Sequence, residues 1–178
     1  MRVASSCIRS IHRKEEEKAR ELLAEAGELT SQMITAFSDH PRLRFGGFVG
    51  DAEKEYAEAA TTYALINGEV LPTPDELEID YAPWLNGLAE AGGELRRHVL
   101  DLVREGQPEE AEQFLDAMDE IYRTIMGFDY PNAISYGLRQ RSDALRGMAE
   151  RTRGDLTNAL RQAHLEQRLA DFEQKLPQ

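Results

Sequence analysis

A chain of 178 residues with a formal net charge of −12 and one cysteine is long enough for one hydrophobic core and short for two, so a single domain over residues 1–178 is expected. The acidity excludes a protein that coats nucleic acid indiscriminately, and no apolar run approaches the roughly 18–20 residues that span a bilayer. The lone Cys7 can form neither an internal disulfide nor a cysteine metal cluster, and a cytoplasmic protein held by no membrane is the expectation.

Breakers fall at Asp39-His40-Pro41, Gly46-Gly47, Gly68 to Pro74, Gly106-Gln107-Pro108 and Asp129-Tyr130-Pro131. Between them apolar residues recur every three or four positions, the period of an amphipathic helix. The first such segment runs to about residue 37, with Leu22, Leu23, Ala26, Leu29, Met33 and Phe37 on one face. A second covers residues 49–66. A third covers residues 80–104, with Leu85, Leu88, Leu95, Val99, Leu102 and Val103 as its stripe. The fourth starts at Pro108, a good first-turn residue, and carries Phe114, Leu115, Met118, Ile121, Tyr122 and Ile125. The fifth spans residues 135–173, with Leu138, Leu145, Met148, Leu156, Leu160 and Leu169 expected to point inward. Long amphipathic stretches joined by short connections predict an all-α fold, a multi-helix bundle.

The charge is uneven along these segments. Residues 1–13 contain Arg2, Arg9 and Arg13 and no acid, and in residues 134–168 the arginines outnumber the acids. Arg139, Arg141, Arg146 and Arg153 in that last segment would either pair with acidic faces of neighbouring helices or line a path for a sugar-phosphate backbone. Tyr122, Tyr130 and Tyr136 have two readings as well, packing residues or platforms on which bases stack.

Two glutamate pairs stand at helical spacing, Glu55 with Glu58 and Glu90 with Glu94, so that each pair shares one helix face. Tyr56 lies between the first two in sequence but points to another face. The helix around Glu55 and Glu58 is rich in alanine, which favours partial burial. Gly92 and Gly93 cost helix propensity beside the second pair, which implies close approach of another helix or of a ligand backbone. Four carboxylates brought together repel unless cations neutralise them, and hard divalent ions such as Mg²⁺ or Mn²⁺ prefer oxygen ligands. Such a site supports displacement at phosphorus. The same spacing also arises on any solvated acidic helix, and spacing alone leaves both readings open. His98, one turn past Glu94, is more simply a packing residue than a ligand.

The order and spacing of several motifs resemble the translin/TRAX family, in its archaeal TRAX-like branch, over nearly the whole chain. These motifs are Gly47-Phe48-Val49 leading into Lys54-Glu55-Tyr56-Ala57-Glu58-Ala59, then Gly87-Leu88-Ala89-Glu90-Ala91-Gly92-Gly93-Glu94-Leu95-Arg96-Arg97, Glu120-Ile121-Tyr122, Phe128-Asp129-Tyr130-Pro131 and Arg151-Thr152-Arg153-Gly154. The resemblance implies a translin-type bundle of about six to seven helices, with a first helix truncated ahead of Met1. It also implies a homo-oligomeric, octameric shell with catalytic sites inside. On this reading Glu55, Glu58, Glu90 and Glu94 bind Mg²⁺ and hydrolyse the phosphodiester bonds of single-stranded RNA, with single-stranded DNA as a further candidate. Arg9, His12 and Arg13 fall on the part of the first helix that contacts RNA in the family.

One position departs from that pattern. Glu90 stands where the family carries aspartate, which sends the carboxylate one methylene further and is expected to lower activity or favour Mn²⁺. Two other functions compete. One is a non-catalytic translin-like protein that binds single-stranded RNA or DNA. The other is an all-α nucleoside triphosphate pyrophosphohydrolase, against which the four-residue spacing of Glu90 and Glu94 speaks.

Overall fold

The computed structural model describes residues 2–128 and 130–175, so that Asp129 of the sequence motif lies outside the described residues. The elements in chain order are α1 (Arg2–His12), α2 (Glu16–Ala36), the single turn α3 (Pro41–Arg44), α4 (Gly47–Asn67), α5 (Tyr81–Arg104), a 3₁₀ turn (Pro108–Ala111), α6 (Glu112–Met126), the single turn α7 (Asn132–Ser135) and α8 (Leu138–Glu173). Six of these helices exceed ten residues, and there is no strand among the described residues. None of the helices among these residues is long and apolar enough to cross a membrane.

The second and third expected segments match α4 and α5 within a residue or two. Gly68, in the left-handed region at φ 68°, ends α4, the usual role of a glycine just past a helix. The first expected segment is instead two helices. The chain turns at Lys14, which takes φ 60°, while Ser10 Oγ donates to Glu15 Oε2 at 3.2 Å across the turn. No glycine or proline marks this corner, so periodicity ran through it. The fourth segment opens as a 3₁₀ turn before α6. In the fifth, Tyr136 (φ 49°) and Gly137 (φ 80°) separate α7 from α8.

Two apolar clusters hold the bundle. The larger joins α5, α6 and α8 through Leu88, Leu95, Val99, Met118, Ile125, Leu145 and Leu156, all nearly inaccessible. Each such side chain contributes about 1.5–3 kcal/mol by leaving water. The smaller joins α1, α2 and α4 through Ala4, Cys7, Ile8, Ile11, Ala19, Ala59 and Tyr63. Cys7 is fully buried, its thiol donating to Ala19 O at 3.3 Å, and burial pushes the thiol up to about 11. Leu29 and Leu169, expected inward, are 48% and 54% exposed. On α2 only Ala19, Ala26 and Thr30 are buried, and α8 has no buried residue beyond Leu156.

Glycine sets how closely α5 meets its neighbours. A Cβ on Gly87 would lie 2.5 Å from Lys54 O and 2.8 Å from Glu58 N, so α4 and α5 touch backbone to backbone there. A Cβ on Gly92 would overlap Leu145 Cδ1 of α8, whereas the nearest atom to one on Gly93 is Met148 Sδ at 3.9 Å. The close approach expected of the glycine pair therefore belongs to Gly92 alone, and the partner is a helix.

Candidate metal and nucleic-acid site

The contact at Gly87 places the Glu55–Glu58 face of α4 against the Glu90–Glu94 face of α5. All four carboxylates line one cleft of about 410 Å³, whose third wall is α1 with Ala4, Ser5, Ile8 and Arg9. Arg97 of α5 completes the lining. Arg9 is exposed and donates to Ser6 Oγ at 2.8 Å. Arg13 is exposed outside the cleft lining, at the α1–α2 turn.

The carboxylates differ sharply in their surroundings. Glu90 accepts from Lys54 Nζ at 2.8 and 3.0 Å and from Arg141 Nε at 2.7 Å. Burial alone would push its carboxyl up, but the hydrogen bonds from Arg141 and Lys54 outweigh burial and leave it below the usual carboxylate range. Glu94 accepts from His12 Nε2 at 2.6 Å, and that hydrogen bond holds Glu94 low against the cost of burial. Neither Glu55 nor Glu58 makes a hydrogen bond or ion pair among the described residues. Burial, then the charges of Glu90 and Glu94, push Glu58 up to about 7.

His12 faces inward. Its side chain is 2% exposed and its Nδ1 is buried without a partner, so as placed it serves Glu94 rather than the solvent path beside Arg9. Lys54 and Arg141, which hold Glu90 from outside the cleft lining, are the residues that sequence reasoning did not connect to the site. Lys54 sits in the quoted motif, and Arg141 stood among the arginines read as pairing or as a path, yet nothing local connects either to Glu90. Arg153 also pairs, with Asp119 at 2.9 Å, whereas Arg139 and Arg146 are exposed and make no ion pair among the described residues.

His98 packs edge-on against Phe114 with ring centroids 4.5 Å apart, and burial lowers its pKa. It lies outside the glutamate cleft. Tyr56 turns away from the cleft to α2, where its hydroxyl would lie 2.7 Å from a Cβ on Gly27. Tyr122 packs against the larger core, and Tyr130 stacks on Phe128 with centroids 6.4 Å apart.

As they stand, no three histidine, cysteine, aspartate or glutamate side chains among the described residues converge to hold a metal ion. Lys54 and Arg141 occupy the oxygens of Glu90, and His12 holds an oxygen of Glu94. The donor set is nonetheless the kind a hard divalent cation takes, carboxylate oxygens with no thiolate or free imidazole.

No family model matches the chain. The uncharacterized protein MJ0175 of Methanocaldococcus jannaschii is 29% identical over 164 residues, 91% of this chain and 72% of that protein. Among solved structures, AfC3PO in complex with duplex RNA superposes at TM-score 0.82 with 35% identity, covering 88% of this chain and 81% of that one. AfC3PO alone superposes at 0.81 with 36% identity, covering 88% and 82%. The apo-NeC3PO structure, 22% identical, shares the fold at TM-score 0.80 over 89% of this chain and 82% of its own. With an all-helical fold common to these C3PO structures and 36% identity to one of them over the 88% of this chain that is covered, the chain belongs to the translin/TRAX family.

Proposed function

We propose that the chain is a divalent-metal-dependent endoribonuclease that cleaves single-stranded RNA within a homo-oligomeric shell in the cytoplasm. The observation that carries this reading is the convergence of Glu55, Glu58, Glu90 and Glu94 on one cleft beside Arg9 and Arg97. These four would hold Mg²⁺, or Mn²⁺ given the longer reach of Glu90. A bound ion would supply a water of lowered pKa and charge stabilisation at phosphorus.

The protein's own groups do the rest. Arg9 and Arg97, on opposite walls, neutralise and orient the phosphodiester backbone. Glu58, buried beside Glu90 and Glu94, holds its proton up to about pH 7 in the metal-free protein, and a bound divalent ion would require it to give that proton up and serve as a ligand. Lys54 and Arg141 keep Glu90 ionised, and the hydrogen bond from His12 keeps Glu94 ionised. The RNA of the AfC3PO complex and the C3PO assemblies to which the fold is similar support an RNA substrate and an oligomer, octameric by the same resemblance. Single-stranded DNA is a second substrate class to be tested.

The test is metal-stimulated cleavage of single-stranded RNA by the purified chain. Glu58→Ala should abolish it with the helical circular-dichroism spectrum intact. A Glu58→Ala protein that cuts as well as the parent overturns the assignment. One observation favours a second reading, non-catalytic binding of single-stranded RNA: Glu90 is already ion-paired with Lys54 and Arg141, and Glu94 is already hydrogen-bonded to His12. RNA binding without any metal-stimulated cleavage would establish that reading instead.

A further inference from the structure

Two cations serve one carboxylate of the cleft, and both glutamates of α4 have none. Lys54 Nζ lies 2.8 Å from Glu90 Oε2 and 3.0 Å from Oε1, and Arg141 Nε donates to Oε1 at 2.7 Å. Both oxygens of Glu90 are thereby engaged by positive groups. Glu55, the next residue after Lys54, makes no ion pair or hydrogen bond among the described residues. An ion that is to be held by Glu90 has to displace those groups. A divalent cation at about 2.0–2.1 Å from a carboxylate oxygen is repelled by an ammonium on that same oxygen.

Lys54 has a second seat within reach. Asp51 stands one turn back on α4, at the i,i+3 spacing where helix side chains meet. It is exposed and makes no ion pair among the described residues. Asp51, Lys54 and Arg141 line a cavity of about 120 Å³ that none of the four cleft glutamates lines. Arg141 has a second tie as well, since its Nη1 donates to Tyr136 O at 2.9 Å at the turn into α8. Each cation can therefore leave Glu90 and keep a partner outside the cleft. The same residues have two arrangements, one with Glu90 clamped and one with Glu90 free for the cleft.

We propose that Lys54 and Arg141 form a displaceable lock on Glu90, which a divalent ion opens by taking the carboxylate while Lys54 moves to Asp51; this rests on the glutamate cleft being a metal site. The lock gives metal affinity a set point. An ion that binds only the unlocked arrangement is weakened by the unlocked fraction, about tenfold if one molecule in ten is open. Until an ion arrives, the lock also keeps Glu90 from repelling the other carboxylates.

Mn²⁺ alone, titrated into the full chain and followed by the electron paramagnetic resonance of the free ion, tests this without RNA or catalysis. Lys54→Met keeps most of the side-chain bulk and should tighten Mn²⁺ binding about tenfold or more. Arg97 lines the cleft and makes no ion pair among the described residues. Arg97→Met removes the same charge without opening a lock, and should tighten binding about threefold or less. At about 1 M KCl the screening length falls to about 3 Å, so the Arg97→Met gain should vanish and the Lys54→Met gain persist. In the parent, saturating Mn²⁺ should speed acetylation of Lys54 about threefold relative to the exposed Lys18, which pairs with Glu15. That second measurement needs no variant and decides if Lys54→Met fails to fold.

Equal gains from the two variants at both salt concentrations, no gain from Lys54→Met, or Lys54 acetylation unmoved by bound Mn²⁺ overturns the lock and leaves the metal site standing. Mn²⁺ binding by Lys54→Met but not by the parent supports both. No Mn²⁺ binding by any folded form overturns the metal site and the lock together.

Discussion

Along α5, the face turned to α4 and the face turned to α6 and α8 are made of different residues. Toward α6 and α8 stand Leu88, Leu95, Val99 and Leu102, interdigitated with Phe114, Met118, Ile121, Leu145 and Leu156. Toward α4, Gly87 lets the backbones touch, and Glu90 and Glu94 reach across. The first face excludes water with bulk. The second does without bulk, because only near-contact of two backbones lets long acidic side chains from both helices share one space. Stability and chemistry are thus carried by opposite sides of a single helix, and substitutions should separate them.

The largest expected effect is on the bulky side. Leu145→Ala should cost about 2–5 kcal/mol of stability in a denaturant titration, while the molecules that remain folded keep RNA cleavage. Leu145 also fills the space a Cβ on Gly92 would need. Gly92→Ala should therefore be destabilising alone and far less so beside Leu145→Ala, a coupling that a double-mutant cycle reads.

On the close side, Gly87→Val must push α4 away from α5. It should cost about 1–3 kcal/mol and, unlike Leu145→Ala, remove cleavage from the folded molecules. Retained cleavage by folded Gly87→Val would break the comparison.

A subtler expectation concerns Glu58. The folded protein holds its proton up to about pH 7, whereas an unfolded chain releases it near 4.5. The metal-free protein should therefore lose stability as pH rises between those values, because the unfolded state gives up the proton first. At pH 8 in chelator, Glu58→Gln should raise stability by roughly 1–3 kcal/mol, and the gain should vanish near pH 4.5. The smallest expected effect is Tyr136→Gly, which by relieving the positive φ should leave stability within about 1 kcal/mol of the parent.

Most of the helices were legible because their apolar faces repeat, as in residues 80–104, and because Gly68 and Pro108 mark ends by local chemistry. The corner at Lys14 was not legible, since an ordinary lysine in the left-handed region leaves no compositional trace. Spacing placed each glutamate pair on a face, and the family resemblance joined the two. What makes the faces meet is Gly87, which sequence alone could not distinguish from its neighbours in the motif. The clamp on Glu90 was also hidden. Lys54 and Arg141 lie 36 and 51 positions from it, and only the packed bundle shows which carboxylate each cation serves.

Cys7 turns the third wall of the glutamate cleft into something that can be timed. The thiol sits on the inner face of α1 against α2, inaccessible and poorly ionised, so an alkylating reagent reaches it only when α1 lifts from α2 and α4. The same lifting would carry Arg9 away from the glutamates and free Glu94 from His12. The labelling rate of this single sulfur is therefore a clock for opening of the cleft, and a ligand bridging Arg9 and the carboxylates should slow it.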